Sequence, residues 1–205
     1  MTLLSKSNAT TRFKLSKFDA FRVGDKPTLA QVLSNREKRV ALQTDLCQKY
    51  SESVVVTFKC NIPGEIKNNE VIRYIFTEGK KAIYQCLRDN NWKIGFEKET
   101  DSLTGPELFI VFNNVNAQVV KEKMIAIETA NTLARLFDFD VSYANENTIV
   151  NVSRESLGYE TRKCLICDCD AKQCARSRTH SLQQLHDRII IYILERGVHF
   201  DESEN

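Results

Sequence analysis

The sequence predicts an α+β protein with a ferredoxin-like, split β-α-β sandwich, and three observations support this fold class. First, five runs have the β-branched content or the apolar–polar alternation that is typical of strands: 53–60, 92–96, 108–112, 136–143 and 148–152. Second, helically spaced apolar residues follow the first run and again follow the third. Third, the resulting order β-α-β-β-α-β, with one extra strand, is that of the split plan. It predicts helices on one face of an antiparallel or mixed sheet.

The helices between these strands have recognisable start signals. Asn68 or Asn69 is expected to cap the first helix, with Glu70 placed favourably in its first turn. Asn116 is expected to cap the second helix. Helical additions are expected at both ends of this core, and the C-terminal one is defined by four apolar residues: Leu182, Leu185, Ile189 and Ile193.

The N-terminal helical addition is expected in two pieces. Residues 27–33 predict a short helical turn that follows a proline. Ser34 then has the pattern of a new N-cap, because Glu37 three residues later completes a capping box. The helix that follows is expected to end near Tyr50.

Residues 1–26 are interpreted as a basic, flexible arm. Four cationic residues precede the first acidic residue of the chain, Asp19. Charge blocks of this kind are typical of interaction tails, including tails that bind nucleic acid. Residues 27–205 are expected to form a single domain, because 205 residues are enough for one sizeable core.

Composition excludes several classes of protein. The net charge of +2 is too small to predict a dedicated nucleic-acid-binding protein, although local clusters of Lys and Arg can still bind phosphate. No stretch approaches the roughly 20 apolar residues needed to span a bilayer, so no membrane partner is expected. The first residues lack the apolar segment of a secretory signal, and a cytoplasmic location is therefore expected.

The acidic strand at residues 136–143 is the first candidate site. In a strand Asp138 and Asp140 point to the same face, about 7 Å apart, while Phe137, Phe139 and Val141 point to the other. Two carboxylates on one face repel each other unless a cation lies between them. Their oxygen ligands suit Mg²⁺, which usually takes one or two carboxylates and completes its shell with phosphates and water. The alternative is an ordinary exposed strand face.

Four residues of the cysteine-rich segment have the spacing of a metal site. Cys164, Cys167, Cys174 and His180 form the pattern C-x2-C-x6-C-x5-H. Three thiolates and one imidazole can bind zinc in a tetrahedral arrangement. Cys169 lies between them as a spare thiol. The alternative is a turn that is stabilised by buried thiols.

The same segment is rich in cations. Six basic residues surround the thiols: Arg162, Lys163, Lys172, Arg176, Arg178 and His180. Thr179 and Ser181 are candidate caps for the C-terminal helix, whose N-terminus would attract negative charge. The segment therefore predicts an anion site, and a polyphosphate partner fits it.

Four blocks of the sequence together resemble a known family. They cover residues 34–43, 63–73, 133–141 and 162–180. The resemblance is to the citrate lyase holo-acyl-carrier-protein synthases, also called apo-citrate lyase phosphoribosyl-dephospho-CoA transferases. It implies a nucleotidyltransferase that attaches the triphosphoribosyl-dephospho-CoA precursor to a serine of the apo-acyl carrier protein of citrate lyase and releases pyrophosphate.

On this hypothesis Asp138 and Asp140 would bind Mg²⁺. Four residues would contact the triphosphate of the donor: Arg135, Arg176, Arg178 and His180. Four further cations are candidates for contact with the nucleotide or with the acidic carrier protein: Arg36, Arg39, Lys67 and Arg73. Because the nucleophile would be the carrier's serine, the enzyme needs mainly to position the reactants and to stabilise phosphate charge.

The chain departs from the family pattern just before the acidic strand. The family pattern there reads approximately His-Pro-Leu-Gly-Arg, whereas this chain has residues 131–135 as Asn-Thr-Leu-Ala-Arg. The resemblance therefore indicates a divergent member. The second hypothesis is a zinc-containing nucleic-acid-binding module without catalysis, which would use the basic arm and the cysteine segment. The near-neutral total charge speaks against it.

Overall fold

The computed structural model describes residues 11–146 and 148–202. Five helices are seen in these residues: α1 (Leu29–Lys49), α2 (Glu70–Asp89), α3 (Ala117–Thr129), α4 (Ala171–Ser177) and α5 (Leu182–Leu194). The strands are β1 (Arg12–Ser16), β2 (Ser53–Cys60), β3 (Lys93–Ser102), β4 (Gly105–Asn113), β5 (Phe137–Asn145), β6 (Thr148–Asn151) and β7 (His199–Asp201). A short 3-10 turn, Leu133–Leu136, leads directly into β5.

The central sheet confirms the predicted fold class. Its five strands lie in the order β3-β4-β2-β5-β6, and every neighbouring pair is antiparallel. The four strands of the split plan, β2 to β5, take the ferredoxin-like order, with β4 inserted between β2 and β3. β6 is the extra strand and extends the sheet beyond β5.

The two faces of the sheet bury different cores. One face contributes residues such as Phe58, Ile110 and Phe139 to the main core, which also contains buried residues of α2, α3 and α5. On the other face, Leu46 and Cys47 of α1 belong to a smaller apolar cluster with sheet residues. Helix α1 is thus the expected N-terminal helical addition, and it packs on this second face of the sheet.

Three predicted helix caps are confirmed. The side chain of Asn69 accepts hydrogen bonds from the backbone N–H groups of Val71 and Ile72, both at 3.0 Å. Asn116 caps α3 in the same way. Ser181 caps α5 within a capping box. Each side-chain oxygen satisfies an N–H group that the first turn of a helix leaves without a partner.

The prediction of a helix in two pieces before β2 is wrong. Residues 29–49 form one continuous helix, whose N-cap is Thr28 with Gln31 as the capping-box partner. Ser34 and Glu37 lie inside this helix. An earlier capping box started the helix, and no glycine or proline follows Thr28 to interrupt it before Ser34.

The described part of the predicted flexible arm is ordered and packed. β1 pairs in parallel with β7, close to the other end of the chain. Phe13, Ala20 and Phe21 are buried in the main core. The charge count missed these apolar side chains and their partner strand, which is distant in sequence. Residues 1–10, which carry the rest of the arm prediction, lie outside the described residues.

No helix in the described part of the chain combines the length and the apolarity that a membrane span needs.

Candidate active site

The acidic strand has the predicted alternation. Phe137, Phe139 and Val141 are buried in the main core, whereas Asp138 and Asp140 lie on the opposite face of the sheet. The register of β2 and β5 places Lys59 directly beside Asp138. The Lys59 ammonium group forms ion pairs with Asp138 and with Asp140, the latter at 3.1 Å. The cation between the two carboxylates in this structure is therefore a lysine.

A second cation reaches the same pair. Arg162 lies 3.2 Å from the Asp138 carboxylate and also donates to the backbone oxygen of Phe137 at 3.0 Å. Burial alone would raise the pKa of Asp138, but the charges of Lys59 and Arg162 outweigh burial and lower this pKa. Burial correspondingly lowers the pKa of Lys59, and its two acidic partners raise it by more. Both shifts show that the charged forms are favoured.

Asp138 and Asp140 in this arrangement do not fit a Mg²⁺ ion. Their two negative charges are matched by two cations, and the Lys59 ammonium contacts both carboxylates. Magnesium binding would require Lys59 to leave. The magnesium site stays a prediction.

Helix α1 is fixed to the same face by further polar contacts. Arg39 forms an ion pair with the buried Glu107 at 2.6 Å, and Asn35 donates to the same carboxylate at 3.0 Å. Gln43 donates to Ser142 on β5. Arg36, which was predicted to share the face of Arg39 and Gln43, is exposed. Arg39 therefore stabilises the fold.

A large cleft lies beside the acidic strand. Its volume is about 1220 Å³, and it is bounded by the end of α3, the 3-10 turn, the cysteine segment and the start of α5. Six basic residues line it: Arg135, Arg154, Arg162, Lys163, Arg178 and His180. Three carboxylates line it as well: Glu128, Glu160 and Asp168. The cleft therefore carries an excess of positive charge.

Arg135 fixes one wall of the cleft. Its guanidinium donates to the carbonyl oxygens of Lys163 and Cys164, at 3.3 and 2.7 Å, and to the hydroxyl of Tyr192 at 3.1 Å. All these acceptors are neutral, so the positive charge of Arg135 is not cancelled by them. Arg135 can therefore hold the cysteine segment in place and, at the same time, offer its positive charge to a ligand.

A buried ion cluster closes the floor of the cleft. The Glu128 carboxylate, almost fully buried, pairs with Arg154 at 2.6 Å and with Arg162. It also accepts the backbone N–H of Phe139 at 3.1 Å. Arg162 therefore bridges Glu128 in the cleft and Asp138 on the other face of the sheet.

The turn at residues 131–135, where the sequence departs from the family pattern, is held by a hydrogen bond of its own. The side-chain oxygen of Asn131 accepts the backbone N–H of Ala134 at 3.1 Å and so ties this residue to the first turn of the 3-10 segment. Asn131 and Thr132 line the cleft beside Arg135. The substituted residues therefore form an ordered part of the wall.

The four predicted zinc ligands are brought together. The ligand atoms of Cys164, Cys167, Cys174 and His180 all lie within 4.8 Å of one another. Burial raises the pKa of the Cys164 thiol, but hydrogen bonds from the backbone of Cys167 and Ile166 and from neighbouring thiols lower it by more. Cys169 is exposed and does not belong to the cluster.

The other cations that were predicted to contact the donor or the carrier lie in different parts of the structure. Arg178 lines the cleft, whereas Arg176 is exposed and does not line it. Lys67 donates to the carbonyl oxygen of Ile62 at 2.7 Å, and burial lowers its pKa. Arg73 is exposed and donates to Asn68 at 2.8 Å. Among the residues expected to contact the triphosphate, the structure thus gathers Arg135, Arg178 and His180.

Sequence reasoning missed the groups that organise the site. No sequence pattern points to Lys59, Glu128 or Arg154, and Arg162 is indicated only as a member of the basic cluster and of the fourth family block. Pairing of β2 with β5 in register would have placed Lys59 beside Asp138. The partners of Glu128 lie 26 and 34 residues further along the chain, in irregular segments that have no periodic signal.

The comparisons with known proteins agree on one family. Residues 27–196 match the model of the family described as apo-citrate lyase phosphoribosyl-dephospho-CoA transferase. Over 174 residues, the chain is 34% identical to Protein CitXG of Leuconostoc mesenteroides subsp. cremoris, which covers 83% of the chain. The match spans only 36% of that protein's length.

Two further relatives match over most of their own length. A probable apo-citrate lyase phosphoribosyl-dephospho-CoA transferase of Streptococcus pyogenes serotype M3 is 33% identical over 83% of the chain and 88% of the relative. A protein of the same name from Vibrio cholerae serotype O1 is 33% identical over 79% of the chain and 89% of the relative. These matches do not favour the nucleic-acid-binding module. The chain belongs to the apo-citrate lyase phosphoribosyl-dephospho-CoA transferase family.

Proposed function

We propose that this chain transfers the phosphoribosyl-dephospho-CoA group from its triphosphate precursor to a serine of the apo-acyl carrier protein of citrate lyase. Family membership over residues 27–196 is the observation that carries this proposal. The class of the reaction is that of a nucleotidyltransferase, and pyrophosphate is the second product.

The basic cleft is the proposed site for the donor. Its volume of about 1220 Å³ exceeds the roughly 300–1000 Å³ of most small-molecule sites, as a donor of this size requires. Arg135 and Arg178 are the cations that we assign to the triphosphate, because Arg154 and Arg162 are paired with Glu128. Guanidinium groups suit this role since they can donate two parallel hydrogen bonds to phosphate oxygens.

Arg178 has a backbone conformation that supports a functional role. It ends α4 with φ +50° and ψ +41°, in the left-handed region that glycine usually occupies. A non-glycine residue whose backbone is held in this region costs free energy, and such residues are found disproportionately at functional sites. The conformation leaves the Arg178 side chain on the cleft wall.

The transfer itself needs little covalent chemistry from the protein. The serine oxygen of the carrier would attack the α-phosphorus of the donor and form a new P–O bond. The bond from this phosphorus to the oxygen that bridges it to the β-phosphorus breaks, pyrophosphate leaves with the bonding electrons, and the serine proton passes to solvent. Arg135 and Arg178 would stabilise the charge that builds up on the departing pyrophosphate.

The carrier protein is proposed to approach the mouth of the cleft. Arg36 and Arg73 remain candidates for contact with an acidic carrier, since both are exposed. Arg39 and Lys67 are weaker candidates, because their charged groups are engaged within the chain.

A single assay tests the proposed reaction. The full chain is incubated with the triphosphate precursor, Mg²⁺ and the apo-carrier, and pyrophosphate release is measured together with the mass of the carrier. We expect one pyrophosphate for each prosthetic group that is added to the carrier. Pyrophosphate release without an increase in carrier mass, or no reaction with active precursor and carrier, would contradict the proposal.

The magnesium prediction has its own test. Calorimetric titration of Mg²⁺ into the protein without donor separates a site at Asp138 and Asp140 from the lysine-bridged pair. Binding that is lost in Asp138→Asn supports the magnesium site. Binding that is absent from the unmodified protein but gained in Lys59→Met means that Lys59 holds the pair closed to metal.

A further inference from the structure

The cysteine cluster is built from three separate pieces of the chain. Cys164 and Cys167 lie in a tight turn, Cys174 lies in α4, and His180 lies just before the cap of α5. The four ligand atoms lie within 4.8 Å of one another, and the His180 ring nitrogen is 3.2 Å from the Cys167 sulfur. In a tetrahedral zinc site the sulfur and nitrogen atoms would lie about 3.5–3.8 Å apart, given the usual Zn–S and Zn–N lengths. Shifts of about 1 Å or less would therefore complete the site.

The turn between the first two cysteines is held by backbone hydrogen bonds. The backbone N–H of Cys164 donates to the carbonyl oxygen of Cys169 at 2.8 Å, and a bridge joins Lys163 to Asp170. These contacts close the loop that carries Cys164 and Cys167, and so hold both thiols within 4.8 Å of the other ligand atoms.

We propose that Cys164, Cys167, Cys174 and His180 bind one structural zinc ion. Three thiolates and one imidazole fill the tetrahedral shell, so no position remains for substrate or activated water. The ion would join the turn, α4 and the start of α5 in a single unit. Its role is therefore to order the cleft wall, and it supplies no chemistry to the transfer.

The zinc site has a direct connection to the cleft. Cys164, Cys174 and His180 all line the cleft, and Arg135 donates to the carbonyl oxygen of Cys164. Arg178 lies between Cys174 and His180 in sequence, so both of its flanks would be fixed by the metal. The site does not depend on the identity of the substrate, and it can be tested without donor or carrier.

Metal content and coordination give the first test. The full chain is purified under reducing conditions without chelator, and zinc is measured by elemental mass spectrometry. We expect one zinc ion per chain. X-ray absorption should show three sulfur ligands at about 2.3 Å and one nitrogen ligand at about 2.0–2.1 Å. Protein that binds neither zinc nor cobalt(II), or that carries a disulfide within the cluster, would overturn the proposal.

Two ligand variants and one matched control give the second test. Cys167→Ser and His180→Asn should each weaken zinc affinity by at least about 100-fold, since loss of a residue that only supports a ligand already costs about 10–100-fold. Cys169→Ser, an exposed thiol of the same segment outside the cluster, should keep full zinc content. Zinc loss in Cys169→Ser with retention in His180→Asn would refute the ligand set. If a variant fails to fold, the cobalt(II) spectrum and sulfur count of the unmodified protein still decide.

Discussion

The acidic face of strand β5 and the cleft beside it handle charge in opposite ways. On the face towards α1, Asp138 and Asp140 are matched by Lys59 and Arg162, and Glu107 is matched by Arg39. In the cleft, cations outnumber carboxylates, and Arg135 donates only to neutral acceptors.

This difference separates charges that build the fold from charges that are available to a ligand. A carboxylate whose charge is already matched by neighbouring cations has little attraction left for a further ion. An arginine that meets only carbonyl and hydroxyl oxygens keeps its attraction for phosphate. We therefore assign the donor to the cleft, even though the paired aspartates are the more conspicuous motif in the sequence.

The largest effect is expected where a buried carboxylate holds two arginines. Glu128→Gln should lower the free energy of unfolding by about 3–5 kcal/mol, because Arg154 and Arg162 would be left without their charged partner. Urea unfolding measures this change. Glu160→Gln is the control, since that side chain is 82% exposed, and its effect should stay within about 0.5 kcal/mol. Equal effects from both substitutions would show that the buried cluster is not a structural centre.

A somewhat smaller effect is expected from loss of a ligand-facing cation. Arg178→Ala should lower kcat/KM for the transfer by about 10–100-fold, as expected for one charge-assisted hydrogen bond to phosphate. The folded state should be retained, because the side chain is exposed. Arg176→Ala, two residues away and outside the cleft, should change kcat/KM by about twofold or less. The reverse order of these two effects would move the triphosphate away from the cleft.

The third prediction concerns Lys59 and pH. Lys59→Met should cost about 1–2 kcal/mol near pH 7, because both aspartates lose their shared cation. The control Lys81→Met removes the exposed Lys81 ammonium from its pair with Glu78 and should cost about 0.5 kcal/mol or less. Urea unfolding of both variants and of the unmodified protein supplies the comparison.

The dependence of the unfolding free energy on pH in the acid range follows from the lowered pKa of Asp138. The stability that this group contributes is present above its unfolded pKa of about 3.9 and is lost as the pH falls through the lower, folded value. The unmodified protein should therefore lose stability below about pH 4, and Lys59→Met should lose less of it over the same range. Parallel curves for the two proteins would mean that Lys59 does not set the Asp138 pKa.

Much of the fold was readable because its signals are local. The β-branched run at residues 53–60 gave the bounds of β2, and single polar residues such as Asn69 and Asn116 marked the helix starts. The order of these elements then predicted the ferredoxin-like sheet. The packing of β1 was missed because its partner strand is about 185 residues away.

Only part of the site could be predicted from the sequence, and the reason is the same. Strand periodicity placed Asp138 and Asp140 on one face, and the cysteine spacing assembled four ligand residues. Periodicity within one strand cannot show what lies on its neighbour, so Lys59 was not expected between the carboxylates. That single lysine changes the most conspicuous acidic motif from an open cation site into a closed, charge-matched pair.

Pyrophosphate binding, measured by calorimetry, tests the assignment of the donor to the cleft most directly. Unmodified protein, Arg178→Ala and Lys59→Met are each titrated with inorganic pyrophosphate at the same ionic strength. We predict that the unmodified protein and Lys59→Met bind it equally, and that Arg178→Ala binds it about 10–100-fold more weakly. Loss of binding in Lys59→Met with full binding in Arg178→Ala would place the triphosphate at the acidic strand and contradict the central claim.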